Sequence, residues 1–176
     1  MQRLIAVLVA LVVTLPSFAD EESALSPIGY IRVGVGAPQI DQSLYDSNVT
    51  YDLAFGGAFT SQSNVAWEVG VGYLGYKSPG IPFRDDLMTM DLSALYRFGQ
   101  AGKIDVYGRA GVSFWAWGDL FNWFSYSSEK GVGLTYGLGM RTRITTHHGL
   151  GVEWQGYNGV PSEVYSRFVV SWIYSY

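Results

Sequence analysis

Apolar and polar residues alternate with period two along most of this chain, in segments of about ten residues. Eight such segments can be marked: residues 27–37, 49–61, 64–76, 86–98, 103–117, 130–144, 148–157 and 164–176. In the first, Ile31, Val33 and Val35 oppose Tyr30, Arg32 and Gly34. In the second, Tyr51, Leu53, Phe55 and Phe59 oppose Asp52, Ala54, Gly56 and Ala58. The third, VAWEVGVGYLG, sets Trp67, Val69 and Val71 against Glu68, Gly70 and Gly72. The later segments repeat the scheme, with Leu134, Tyr136 and Leu138 against Thr135, Gly137 and Gly139 as one example. Period two predicts β-strands, each with one large apolar face and one face of small or charged residues.

The connections alternate in length. Residues 61–64, 99–102 and 145–147 are short links, while 38–48, 77–85 and 118–129 are longer and 158–163 is intermediate. Short turns at one end and long loops at the other fit a transmembrane barrel. The faces decide which side is in. Eight rows of Trp, Phe, Tyr, Val and Leu would overfill a narrow barrel, whereas glycine, alanine, serine and a few ionic side chains fit. The expected fold is therefore an all-β, eight-stranded antiparallel up-and-down barrel that turns its large residues to lipid. Aromatic residues near the segment ends (Tyr51 and Phe59, Trp67 and Tyr73, Tyr96 and Phe98) suit girdles at the two interfaces.

Composition agrees. Of 176 residues, 48% are hydrophobic and only 15% charged, well below the roughly 25% charged usual in soluble domains. There is no cysteine, which excludes disulfides and thiolate metal sites. The opening stretch, MQRLIAVLVALVVTLPSFADEESA, reads as a secretory signal: Arg3, an apolar run over 4–15, Pro16, then Ser17-Phe18-Ala19. Cleavage is expected after Ala19, giving a signal over 1–19 and a barrel over 20–176. The net charge of −4 argues against a nucleic-acid partner.

Three stretches carry a family resemblance: LAFGGAFTSQSNVAWEVGVGYLG, DVYGRAGVSFWAW and the final RFVVSWIYSY. Together they resemble the membrane domain of OmpA-type outer-membrane proteins. The resemblance implies a bacterial outer-membrane barrel, monomeric, surrounded by outer-membrane lipid and lipopolysaccharide. It also implies insertion by the barrel-assembly machinery through a C-terminal signal, here Phe168, Trp172, Tyr174 and Tyr176. The terminal tyrosine departs from the more usual phenylalanine. Larger members add a periplasmic peptidoglycan-binding domain, and this sequence has no residues for one, so a wall-anchoring role is not expected to carry over.

In that family a lumen glutamate on the third strand pairs with basic residues. Glu68 falls at that place, Arg109 at a basic position of the fifth strand and Arg32 at one of the first. Elsewhere the pattern departs, with Ser93, Arg141 and Gly151 where the family tends to have a lysine, an acid and an arginine. A rewired network is expected, in which Glu68 pairs with Arg141 or Arg109. Parity places Arg32, Arg109, Arg141, Arg143 and Arg167 in the lumen, against Asp52, Glu68, Asp91 and Glu153. Buried charges need partners, and a near-balanced set suits a plugged interior. A small or gated porin-like channel is the alternative.

Catalysis finds little footing. The histidines, His147 and His148, are adjacent in a short link, and no serine follows in the spacing of the deacylase barrels. Neighbouring strand residues point to opposite faces, which makes a poor metal pair. No catalytic residue, metal or cofactor is expected, and a lipid A-modifying enzyme is the third reading. The loop GDLFNWFSYSSE, residues 118–129, is unusual in carrying Phe121, Trp123, Phe124 and Tyr126. Either the flanking strands extend and these rings join the girdle, or the loop is a contact surface for a host or cell-surface partner.

Overall fold

The computed structural model describes residues 29–39, 46–59, 63–77, 86–117, 130–159 and 166–176. They form eight strands: β1 Gly29–Gln39, β2 Asp46–Gly57, β3 Val65–Lys77, β4 Asp86–Ala101, β5 Ile104–Trp117, β6 Lys130–Arg143, β7 His148–Asn158 and β8 Ser166–Ser175. Each pairs antiparallel with its sequence neighbour, and β1 pairs with β8, closing the barrel. Closure leaves no open edge, the condition for a sheet in hydrocarbon. Strands of 10 to 16 residues meet or exceed the roughly 9–11 residues a tilted strand needs to cross a bilayer.

The faces are inverted relative to a soluble barrel. Leu53, Trp67, Leu92, Leu134, Leu138 and Trp172 are exposed, while Arg32, Glu68, Asp91, Arg109, Glu153 and Arg167 are buried. Strand β6 shows the alternation most plainly, from Val132 outward and Gly133 inward to Met140 outward. Lipid accepts the apolar rows without the cost that water would impose.

Register is pinned by shape as well as hydrogen bonds. In the β4–β5 hairpin Ala101 pairs with Ile104, and Gly102 has φ of +60°, as a type II′ turn with glycine at its first central position requires. Aromatic rings lie over bare glycine backbone on the next strand: Tyr30 over Gly56 and Tyr107 over Gly139 inside, Trp67 over Gly57 and Tyr136 over Gly156 outside. The girdles form ring pairs, Tyr51 with Tyr73 at 6.4 Å and Tyr96 with Phe98 at 5.4 Å.

Some expected boundaries shift. Strand β1 runs to Gln39, β2 starts at Asp46, and β4 continues to Ala101 past a register shift between Arg97 and Gly99. Strand β2 ends at Gly57, before the expected 61, and this corrects one residue outright. Phe59 does not join the lipid-facing girdle. Past the last pleat, parity no longer binds it, and it turns under the barrel mouth to pack at 5% exposure against Tyr107, 6.1 Å between rings.

Candidate functional site

The chemistry of this molecule lies in its lumen, where the charged side chains stack in three layers. The middle layer is the tightest. Arg32 on β1 places Nη2 2.9 Å from Glu68 Oε1 and 2.8 Å from Asp52 Oδ2, and Nη1 3.4 Å from Glu153 Oε2. Arg109 on β5 reaches the same two glutamates. Its Nη2 donates to Glu68 Oε1 at 2.5 Å and to Glu153 Oε2 at 3.1 Å, and its Nε donates to Glu153 Oε1. Two tyrosines complete the carboxylates: Tyr30 donates to Glu68 Oε2 at 2.6 Å, Tyr107 to Glu153 Oε2 at 3.0 Å. Arginine suits this place because its planar fork serves two carboxylates while remaining charged.

These contacts follow from register. On β3, Gly70 and Gly72 alternate inward with Glu68, and Gly70 pairs with Asp91, Gly72 with Asp52. Glycines leave the volume that long arginines from the opposite wall occupy. A Cβ on Gly72 would stand 2.5 Å from Arg167 Nη1, and one on Gly34 would stand 1.9 Å from Asp52 Oδ1.

Towards the long loops, Arg167 donates to Gln155 Oε1 at 2.6 Å and to Thr50 Oγ1 at 3.3 Å, with Asp91 Oδ2 3.6 Å away. Tyr157 donates to Asp91 at 3.2 Å. Towards the short turns, Arg97 and Arg141 share Asp105, each at 3.4 Å. Phe59 lies between them, its ring centre 5.5 Å from the Arg97 guanidinium carbon and 4.0 Å from that of Arg141.

The sequence-predicted residues divide accordingly. Arg32, Asp52, Glu68, Arg109 and Glu153 meet in the middle layer. Asp91 lies in the outer one with Arg167. Of the two partners expected for Glu68, Arg109 is in contact and Arg141 is not: Arg141 sits nearer the mouth, at the level of Asp105. Arg143 is corrected as a network member. It lies at the end of β6 beside the 144–147 turn and is exposed at the mouth. Sequence reading did not single out Tyr30, Tyr107, Tyr157, Asp105, Gln155 or Arg97 as site residues. Tyr107 and Asp105 share the inward parity of Arg109, and that was the available signal.

Phe168, Trp172, Tyr174 and Tyr176 lie on the exposed face of β8. His148 stacks on Trp172 at 5.4 Å, and His147 Nδ1 is 2.9 Å from the Ser175 carbonyl oxygen. Among the described residues no three potential ligands gather in a metal-binding group. The aromatic loop with Phe121, Trp123, Phe124 and Tyr126, and the signal segment, lie outside the described residues.

A family model, the outer membrane protein beta-barrel domain, matches residues 5–163. No curated protein matches the chain. Among solved structures, Neisserial surface protein A is similar with a TM-score of 0.61 at 16% identity, covering 84% of this chain and 97% of that one. The N-terminal barrel domain of Pseudomonas aeruginosa OprF gives 0.55 at 17%, covering 86% and 100%. Yersinia pestis Ail in a phospholipid nanodisc gives 0.55 at 10%, covering 85% and 99%. At such identities the likeness concerns the fold alone.

Proposed function

The chain belongs to the outer membrane protein beta-barrel domain family, and from that premise we propose that it is a structural and surface-interaction barrel whose lumen is sealed by its ionic network. Its place is the bacterial outer membrane, among phospholipid and lipopolysaccharide. The observation that carries the sealed lumen is the ring Arg32–Glu68–Arg109–Glu153, in which each guanidinium touches both glutamates. An ion entering would have to displace side chains that neutralise one another at hydrogen-bonding distance, and breaking a buried pair costs about 3–5 kcal/mol.

We read the barrel as a monomer, a reading supported by the closure between β1 and β8, which leaves no strand edge through which a second copy could pair. It is exported with cleavage after Ala19. The outward row Phe168, Trp172, Tyr174 and Tyr176 serves as the signal read by the assembly machinery. Its long loops contact a host or cell-surface partner through Phe121, Trp123, Phe124 and Tyr126. This reading gives it no catalytic role, and the contacts of the histidine rings with Trp172, Tyr174 and the Ser175 carbonyl support a structural part for them in the turn.

Planar-bilayer recording on the purified barrel tests the seal. The expected trace is silent. Steady conductance that changes in Glu68→Ala would instead favour the small-channel reading.

A further inference from the structure

At the short-turn end a pocket opens to solvent, with Tyr30, Phe59, Asp105, Arg141, Arg143 and Ile173 among its lining residues. Its charge is unbalanced. In the middle layer Arg32 and Arg109 face Asp52, Glu68 and Glu153, and in the outer layer Arg167 faces Asp91. Neither layer has surplus positive charge. At the mouth, Arg141 and Arg143 line the pocket, and Asp105 is the one carboxylate side chain among the described residues that line it.

Asp105 is also divided. It receives Arg97 at 3.4 Å on one oxygen and Arg141 at 3.4 Å on the other. Both contacts are longer than the roughly 2.7–2.9 Å of a charge-assisted hydrogen bond. Ring stacking holds Arg141 in place, 4.0 Å from Phe59, 5.5 Å from Tyr30 and 5.9 Å from Tyr107. Stacking orients a guanidinium and leaves its in-plane donors for an anion. Tyr30 and Phe59, with Ile173, give the pocket apolar walls.

We propose that this mouth is a binding site for a small carboxylate carrying an apolar substituent, of the kind a free peptide C-terminus presents, arriving from the periplasm. A membrane lipid does not fit, because Tyr30, Asp105, Arg141 and Ile173 line the inside of the barrel wall, away from the bilayer. The carboxylate takes Arg141 as its planar partner, Arg143 closes from the rim, and the substituent lies against Phe59 and Ile173.

The test is a titration of the whole barrel in detergent micelles with N-acetyl-leucine, its neutral amide, and inorganic phosphate. Constant ionic strength is kept, and the arginine Nε–H resonances are read. N-acetyl-leucine is expected to give saturable shifts, and the amide to bind at least about tenfold more weakly, the worth of a charge-assisted contact. Arg141→Gln is expected to lose about tenfold or more, Arg143→Gln about threefold, and Lys103→Gln, on the same rim but outside the pocket, nothing. Should Arg141→Gln fail to fold, the exposed Arg143→Gln decides. Absent saturation in the unaltered protein, undiminished binding in a folded Arg141→Gln, or phosphate binding as tightly as N-acetyl-leucine would each overturn the proposal.

Discussion

Arg109 grips Glu153 through two nitrogens at once, Nε to Oε1 and Nη2 to Oε2, across 44 residues of sequence. The pair joins β5 to β7 with β6 between them, where Gly137 and Gly139 leave the way clear. Removing one partner leaves the other buried with only part of its pairing, Arg109 with Glu68 and Glu153 with Arg32 at 3.4 Å, whereas removing both leaves no half-paired charge at this contact. Glu153→Ala is therefore expected to lower unfolding stability by about 3–5 kcal/mol, and Arg109→Met with Glu153→Leu by less than either single change. Urea titrations of the barrel in micelles or vesicles, followed by heat-modifiable migration, measure this. Additive losses in the double variant would show that the two residues act independently.

Phe59 supplies a second contrast. A lipid-facing aromatic gives way to alanine at little packing cost, but Phe59 is wedged between Arg97, Arg141 and Tyr107. Phe59→Ala is expected to cost about 2–4 kcal/mol, combining a cavity with lost cation–π contacts. Phe98→Ala, at 63% exposure outside the barrel, is the comparison. Equal losses at the two sites would place Phe59 back on the outer face.

Phe59 also marks where sequence reading stops. Strict parity reports side-chain direction only within the ladder, so the faces of β3, β5 and β6 were legible in VAWEVGVGYLG, DVYGRAGVSFWAW and their neighbours. The barrel itself followed from that and from the alternating connection lengths. Parity carries no height along the barrel axis. It places Arg109, Arg141 and Arg143 on one face and cannot tell that Arg109 stands level with Glu68 while Arg141 stands level with Asp105. Height depends on the stagger between strands, which includes the register shift between Arg97 and Gly99. The tyrosines were hidden for another reason. A lumen tyrosine looks like filler until its hydroxyl is seen to donate to a carboxylate, as Tyr30 does to Glu68.

The aromatic loop can be tested apart from the barrel. Residues 118–129 connect β5 to β6 and lie outside the described residues. Deleting residues 121–126 is expected to abolish attachment of expressing cells to a host-cell layer while leaving heat-modifiable migration unchanged, because long loops tolerate shortening far better than strands. Attachment that survives the deletion would leave the rings to the interfacial girdle.

The last contrast concerns two glycines of neighbouring strands. A Cβ on Gly111 would lie 2.2 Å from the Leu92 carbonyl oxygen and 2.7 Å from Ser93 Cα. Both are backbone atoms, so no rotamer change relieves the clash, and β4 and β5 would have to part at mid-barrel, where Ser93 pairs with Gly111. A Cβ on Gly99 meets nothing within 4 Å. Gly111→Ala is accordingly expected to cost about 1–3 kcal/mol, as overpacking does, and to slow folding into vesicles. Gly99→Ala is expected to change stability by less than about 0.5 kcal/mol, as surface substitutions do. Parallel urea titrations of the two variants decide it. Indifference to both would mean that the β4–β5 wall yields more readily than a mid-barrel backbone contact allows.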